Sequence, residues 1–158
     1  MSERIRVKAD IVPYTAEYAQ TIRSWIDCEE TYHNLCRGKD YPPPDDLIES
    51  WQRDSVRSYI LMWQSRPVAY GELFSRPLEM AVEIAHLIVD PAKRSQGYGT
   101  KMLELLFQRA EQRPNVAKVM LNLYGSCAVT LGCYLKAGFI IEGTSSYTVG
   151  LRMVRMVQ

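Results

Sequence analysis

Metal-binding and cross-linking side chains are scarce in this chain. Two histidines, His33 and His86, share no ligand spacing with each other or with the four cysteines, so a catalytic metal is not expected. Cys28, Cys36, Cys127 and Cys133 contain no C-x-x-C pair, which leaves them as reduced thiols, with Cys127 and Cys133 on a helix packed like small hydrophobes. No apolar run approaches the ~20 residues of a membrane span. Met1-Ser2-Glu3-Arg4-Ile5-Arg6 lacks the apolar segment of an export signal. Net charge is small: +1, with a pI near 7.6, gives no footprint for nucleic acid or an anionic membrane. Neither G-x-x-x-x-G-K-[ST] nor a complete G-x-G-x-x-G is present, and there is no internal repeat. With these excluded, 158 residues at 47% hydrophobic read as one soluble domain over 1–158, expected in the cytoplasm. A chain of that length can bury roughly 70% of its unfolded surface.

The most informative stretch runs from Val82 to Ala110. Val82 to Val89 is an apolar run of strand length, closed by Asp90-Pro91, because proline cannot extend the ladder. Lys93-Arg94-Ser95-Gln96-Gly97-Tyr98-Gly99-Thr100 follows as a basic turn with two glycines. Met102, Leu103, Leu106, Phe107 and Ala110 then mark one apolar face of a helix. Strand, glycine turn and helix in that order suit an anion site. The first helical turn has unpaired N–H groups and the positive end of the dipole, and the glycines let a bulky phosphate approach the backbone. A tight β-to-α turn with no ligand would use the same glycines.

Arg94-Ser95-Gln96-Gly97-Tyr98-Gly99 resembles the [QR]-x-x-G-x-[GA] signature of the GCN5-related N-acetyltransferases (GNAT), after a strand ending V-D-P. Cys133-Tyr134-Leu135-Lys136-Ala137-Gly138-Phe139 resembles the family's L-Y-x-K-x-G-F. The two motifs occur in the family's order and separation, and the resemblance covers Arg4 to Val157. It implies an α/β fold of the α+β type: a mixed, mostly antiparallel sheet of six or seven strands with a splayed central pair and about four helices. It also implies acetyl-CoA as cosubstrate. Leu87, Ile88 and Val89 would pair their main chain with the pantetheine arm, and Arg94, Ser95, Gln96, Gly97, Tyr98, Gly99 and Thr100 would cradle the pyrophosphate. The family often has N-x-x-A before L-Y, whereas Cys127 and Thr130 stand there here, so Asn122 is the nearest substitute for the pantetheine-contacting asparagine. The family is often dimeric, which makes a homodimer an expectation, although no interface is legible.

Elsewhere the pattern predicts an edge strand from Val7 to Val12 and a helix capped by Thr15 that runs to about Ile26. Ser58 to Trp63 and Val68 to Phe74 form a hairpin around Gln64-Ser65-Arg66-Pro67. A strand from Val116 to Tyr124 and a helix from Cys127 to Ala137 follow, the helix with Ser126 as cap and Gly138 at its end. Phe139 to Ile141 and Tyr147 to Met156 close the sheet. Asp27 to Ser50 carries seven acidic residues against two basic ones. It reads either as a solvated loop before a helix with Asp46 and Glu49 at capping-box spacing, or as an acidic, aromatic wall that receives a cationic amine. On the second reading Glu29, Glu30 and Tyr32 bind substrate, beside Trp25, Tyr41 and Trp51.

Amine acetylation needs a neutral amine and a proton for the departing thiolate. An alkyl ammonium has a pKa near ~10.4 and a thiol one of about 8.5. Tyr134 is the candidate acid, at the position of the family's frequently catalytic tyrosine. Glu83, eleven residues before Arg94, is the candidate base by the spacing of the histone-acetylating members. His86 and, more weakly, Glu72 are the other choices; His86 has the wrong parity to share Glu83's face of a regular strand, and only a bulge there would change that. The expected activity is acetyl transfer from acetyl-CoA to a primary amine by direct attack in a ternary complex, the acceptor a small cationic amine. Protein N-terminal acetylation, a non-catalytic acyl-CoA sensor and a nucleotide-binding protein remain as alternatives.

Overall fold

The computed structural model describes residues 10–125, 128–144 and 150–158. Seven strands form one sheet: β1 (Asp10–Pro13), β2 (Val56–Trp63), β3 (Arg66–Arg76), β4 (Ala81–Val89), β5 (Lys118–Tyr124), β6 (Ile140–Thr144) and β7 (Gly150–Met156). Their order is β1-β2-β3-β4-β5-β7-β6, and every pairing is antiparallel except β4 with β5. Five helices cover it: α1 (Ala19–Ser24), α2 (Glu29–Cys36), α3 (Leu47–Ser50), α4 (Tyr98–Glu111) and α5 (Ala128–Lys136). No described helix is long and apolar enough to cross a membrane.

Each face of the sheet carries its own core. On one face, Met102, Leu103, Leu106, Phe107 and Ala110 of α4 pack on Leu73, Val82, Ile84, Val119 and Leu121, the apolar face expected from the helical spacing. Gly71 makes this contact close, since a Cβ there would lie 2.7 Å from Leu106 Cδ1. On the other face, Ile22, Trp25, Ile48 and Trp51 pack against Ile60, Tyr70 and Ile88. The hairpin closes more tightly than expected. Gln64 and Ser65 both have positive φ (50° and 62°), as a two-residue turn of the I′ kind requires. Arg66 and Pro67 therefore belong to β3, and a register break between Leu61 and Met62 accommodates the proline.

Three expectations change. The helix from Thr15 to Ile26 is a 3₁₀ turn followed by α1, and Thr15 bonds Glu17 rather than capping the backbone. The acidic segment contains α2, whose N-cap is Cys28: its sulfur accepts from Thr31 N at 3.5 Å. Asp46 makes no side-chain cap to α3. Val7, the Ser126 cap, Cys127 and Tyr147 lie outside the described residues, while Gly138 takes the left-handed conformation (φ 91°) after α5 as expected.

Two irregularities of β4 build the site. It pairs with β5 only from Ala81 to Ile84, opposite Lys118 to Leu121. Beyond that the strands part, and the β5-facing edge of Ala85 to Val89 is left without a strand partner. On its other side β4 pairs Ala85 with Glu72 but Ile88 with Tyr70, so β4 holds one residue more than β3 between these pairs. The extra residue is a β-bulge centred on His86, whose φ is 50°.

Candidate active site

The parted strands open into a cleft of about 710 Å³. One end is formed by the β4–α4 turn, with Lys93, Arg94, Ser95, Gly97, Gly99 and Thr100 in its wall. Gly97 is the N-cap of α4 at φ 93°, a conformation that favours glycine, and a Cβ on Gly99 would meet only Val89 Cγ2 at 3.5 Å. Leu87, Ile88 and Val89 line the middle, along the unpaired edge of β4, and Tyr134 faces them from α5. Half-buried Tyr134 also packs against the α4-side core. Two members of the basic turn are placed elsewhere. Tyr98 is buried against Trp63, and Gln96 turns back to donate to Ala92 O at 3.3 Å.

The other end is the polar floor of β3, β4 and β5. Tyr70, Glu72 and Phe74 alternate onto one face of β3, and Glu83 shares it as the partner of Phe74. Glu83 is held from two directions. Arg76 donates to its Oε1 through Nη2 at 2.6 Å and Nε at 2.7 Å, and Asn122 Nδ2 donates to its Oε2 at 3.3 Å. Asn122 thus enters the cleft through Glu83, with its own Oδ1 buried and unpartnered among the described residues. Burial, and then the Glu83 charge, pushes the neighbouring Tyr124 phenol above its ordinary value.

The bulge brings His86 onto this floor, where regular alternation would have turned it away. Its Nδ1 lies 2.8 Å from Glu72 Oε1, and its ring stacks on Trp51 at 3.9 Å between centroids, 15° from parallel. Glu72 is 2% exposed, the only buried charged side chain among the described residues. Its other oxygen accepts from the Tyr70 hydroxyl, which in turn accepts from Gln52 Nε2 at 2.9 Å. Desolvation, followed by the adjacent Glu72 charge, raises the Tyr70 phenol far above its usual range, so it remains a donor.

Of the expected acceptor wall, Glu30 lines the cleft from α2 with Thr31 and Asn34. Glu29 is exposed and does not line it. Tyr32, Trp25 and Trp51 are core residues, and only Tyr41 of that aromatic group is exposed. Apolar residues in an acidic segment read equally as a binding wall or as the buried side of a short helix. Here burial took them. Arg53 and Arg76, which the sequence did not single out, line the same end of the cleft.

The comparisons agree with this architecture. An aminoglycoside N(6')-acetyltransferase type 1 from Klebsiella pneumoniae is 25% identical over 134 residues, covering 78% of this chain and 65% of that protein. The chain therefore spans about two thirds of the length of the curated relatives it matches. Among solved structures, AAC(6')-Ib in complex with paromomycin and acetyl-CoA superposes with a TM-score of 0.77 at 20% identity, covering 94% of this chain and 93% of that one. The spermidine N-acetyltransferase of Vibrio cholerae, in complex with CoA and spermine, gives 0.78 at 15% identity, covering 95% and 96%. At these identities the structural likeness establishes the fold. The family pattern goes further, matching residues 19–139, and with it the chain belongs to the acetyltransferase (GNAT) family.

Proposed function

We propose that the protein transfers an acetyl group from acetyl-CoA to a primary amine, by direct attack while both substrates are bound. The observation that carries this is the parting of β4 from β5 after Ile84. It leaves an unpaired main-chain edge in a cleft that runs from a glycine-bearing helix start to a polar floor. An extended ligand with amides along its length can pair with such an edge as an added strand does. Leu87 to Val89 would hold the pantetheine arm, with a main-chain N–H near Ile88 polarising the thioester oxygen. Gly97, Gly99 and the first turn of α4 would take the diphosphate, flanked by Lys93 and Arg94.

At the reacting centre Tyr134 supplies the proton that the leaving thiolate needs. The amine's proton goes to the floor of β3 and β4, where Glu83 and His86 are the available groups. The acceptor enters past Glu30, Thr31 and Asn34, and the Glu30 carboxylate favours a cationic amine of the small polyamine or aminoglycoside kind. Arg53 and Arg76 at the same end temper that charge, so the acceptor class rests on the wall nearest α2.

The test is thiol release from acetyl-CoA across a panel of spermidine, paromomycin and an alanine-initiated peptide. Wild type should release thiol with at least one of the first two. Tyr134→Phe should lower kcat by about 10²-fold, the lower range for loss of a general acid, with acetyl-CoA binding retained. Turnover with the peptide alone would move the assignment to protein N-termini. CoA binding without thiol release from any amine would make the protein a sensor.

A further inference from the structure

We infer that the group accepting the amine's proton is His86 Nε2, with Glu72 and Trp51 as the positioning residues that make it a base. This rests on the transferase reading above and assigns within it a role that neither motif carries. Glu83 is the more heavily engaged competitor: the Arg76 guanidinium donates twice to its Oε1, and Asn122 donates once to its Oε2. Glu72 is closed off as well, one oxygen accepting from Tyr70 and the other meeting His86. His86 has one nitrogen on Glu72, while Nε2 has no partner among the described residues, and the residue lines the cleft.

The protonation pattern follows from burial. A carboxylate only 2% exposed needs donors on both oxygens. Tyr70 supplies one, and the Nδ1–H tautomer of His86 supplies the other. That tautomer leaves the Nε2 lone pair bare, and the same carboxylate stabilises the imidazolium once Nε2 is protonated. Stacking on Trp51 at 3.9 Å fixes the ring plane. The backbone does its share too. His86 sits at φ 50°, a conformation a histidine adopts rarely and at a cost. Without the bulge the imidazole would point to the α4 face, away from Glu72.

Several groups set the field around the ring. Glu72 meets it from β3 and Trp51 stacks on it after α3, while Tyr70 from β3 and Cys36 from α2 act on Glu72. Arg53 and Glu83 line the same end of the cleft. Tyr70 and Cys36 both keep their protons at neutral pH, because burial raises them, and Glu72 is the charge closest to the imidazole.

In the reaction, Nε2 takes one proton from the bound ammonium and later gives it to solvent. The freed nitrogen lone pair forms the C–N bond. The C–S bond breaks with its electron pair on sulfur, which takes the Tyr134 hydroxyl proton, and the second proton leaving nitrogen restores the phenol.

Asparagine provides the sharpest test. In His86→Asn the side-chain amide can donate to Glu72 where Nδ1–H did, and asparagine tolerates φ 50° better than most residues. A purely structural His86 would therefore be well replaced, whereas a base would be lost. With spermidine or paromomycin as acceptor, His86→Asn should lower kcat about 10²-fold or more at pH 7. It should also displace the acid limb of the kcat/KM profile upward to the amine's own ionisation, so that the deficit shrinks at high pH. CoA affinity by calorimetry should stay within about twofold. Glu72→Gln should lower kcat while leaving KM and CoA affinity unchanged, because the imidazolium formed in turnover loses its counter-charge. The inference is overturned if wild type turns over while His86→Asn keeps the acid limb where wild type has it and a kcat within about threefold, or if Glu83→Gln, rather than His86→Asn, displaces that limb. Absence of thiol release by wild type with every amine overturns the transferase reading itself, and this assignment with it.

Discussion

Alanine at the two glycines flanking Tyr98 separates the stability of the β4–α4 turn from its ligand. Gly97 has φ 93°. A left-handed alanine costs about 1–2 kcal/mol, and a chain of this size loses roughly 2–4 °C per kcal/mol. Gly97→Ala should therefore melt about 2–8 °C below wild type. Gly99→Ala should behave oppositely. It lies inside α4, and its Cβ would meet only Val89 Cγ2 at 3.5 Å, an ordinary contact. Alanine is favoured over glycine in a helix by up to about 1 kcal/mol, so the melting temperature should hold or rise by up to about 4 °C. Yet both positions line the cleft, and a methyl group placed where a diphosphate must touch main chain should weaken CoA binding in both. A loss of at least tenfold corresponds to about 1.4 kcal/mol. Thermal unfolding without ligand, and calorimetry with CoA and with pantetheine, measure the two effects apart. Pantetheine lacks the diphosphate and should bind Gly99→Ala as it binds wild type. If Gly99→Ala keeps its melting temperature and binds CoA with unchanged affinity, no diphosphate rests on this turn.

Three further outcomes follow from the same structure. Gly71→Ala drives a Cβ to 2.7 Å from Leu106 Cδ1. The overpacking should cost about 1–3 kcal/mol, read as a lower urea midpoint at unchanged m, and an unshifted midpoint would refute the close contact. Tyr70 has its phenol raised by burial and then by Glu72. Up to about pH 10 both folded and unfolded chains keep that proton; above it only the unfolded chain ionises, so stability falls by up to about 1.4 kcal/mol per pH unit for this one group. Tyr70→Phe should lower the slope of stability between pH 10 and 11 by that amount in urea titrations, and an identical slope would count against a buried phenol. Burial likewise raises the Cys36 thiol, while Cys28 is exposed. A disulfide reagent at pH 8 should modify Cys28 well before Cys36, as peptide mapping would read, and equal rates would contradict the partial burial of Cys36.

Much of the fold was legible because local and tertiary demands coincide along it. Met102, Leu103, Leu106, Phe107 and Ala110 have a helical spacing, and all of them are buried against the sheet. The β2–β3 hairpin showed as two apolar segments around a polar turn, and only the turn's length was misread. The segment Asp27 to Ser50 was less readable. Tyr32, Leu35 and Cys36 have helical spacing, with Tyr32 in the face-covering core and the half-buried Leu35 and Cys36 packed against it, but the surrounding acids present the same pattern as a solvated loop. The Cys28 cap adds to the difficulty, because thiol caps are not among the residues that announce a helix start. The Thr15 helix failed for the converse reason: a favoured cap residue was present, and its hydroxyl went to Glu17 instead.

The floor of the cleft shows where counting along a strand stops working. Period-two alternation assigns Glu83 and His86 to opposite faces, and it holds from Ala81 to Ala85, where each residue has its own partner on β3. One unpaired residue then shifts the count before Ile88 meets Tyr70. Nothing in Ala85-His86-Leu87-Ile88 announces this shift, because Leu87 and Ile88 are equally suited to either face of a sheet buried on both sides. What favours the bulge is long-range. Glu72 needs a second donor in a place water barely reaches, and His86 is the side chain that meets its free oxygen, with Trp51 flanking the ring. Such a site is specified by the partner strand rather than by its own sequence. A side chain placed by a bulge therefore becomes visible only once register is known, whereas motifs carried by consecutive residues, such as Arg94 to Gly99, are visible from the chain alone.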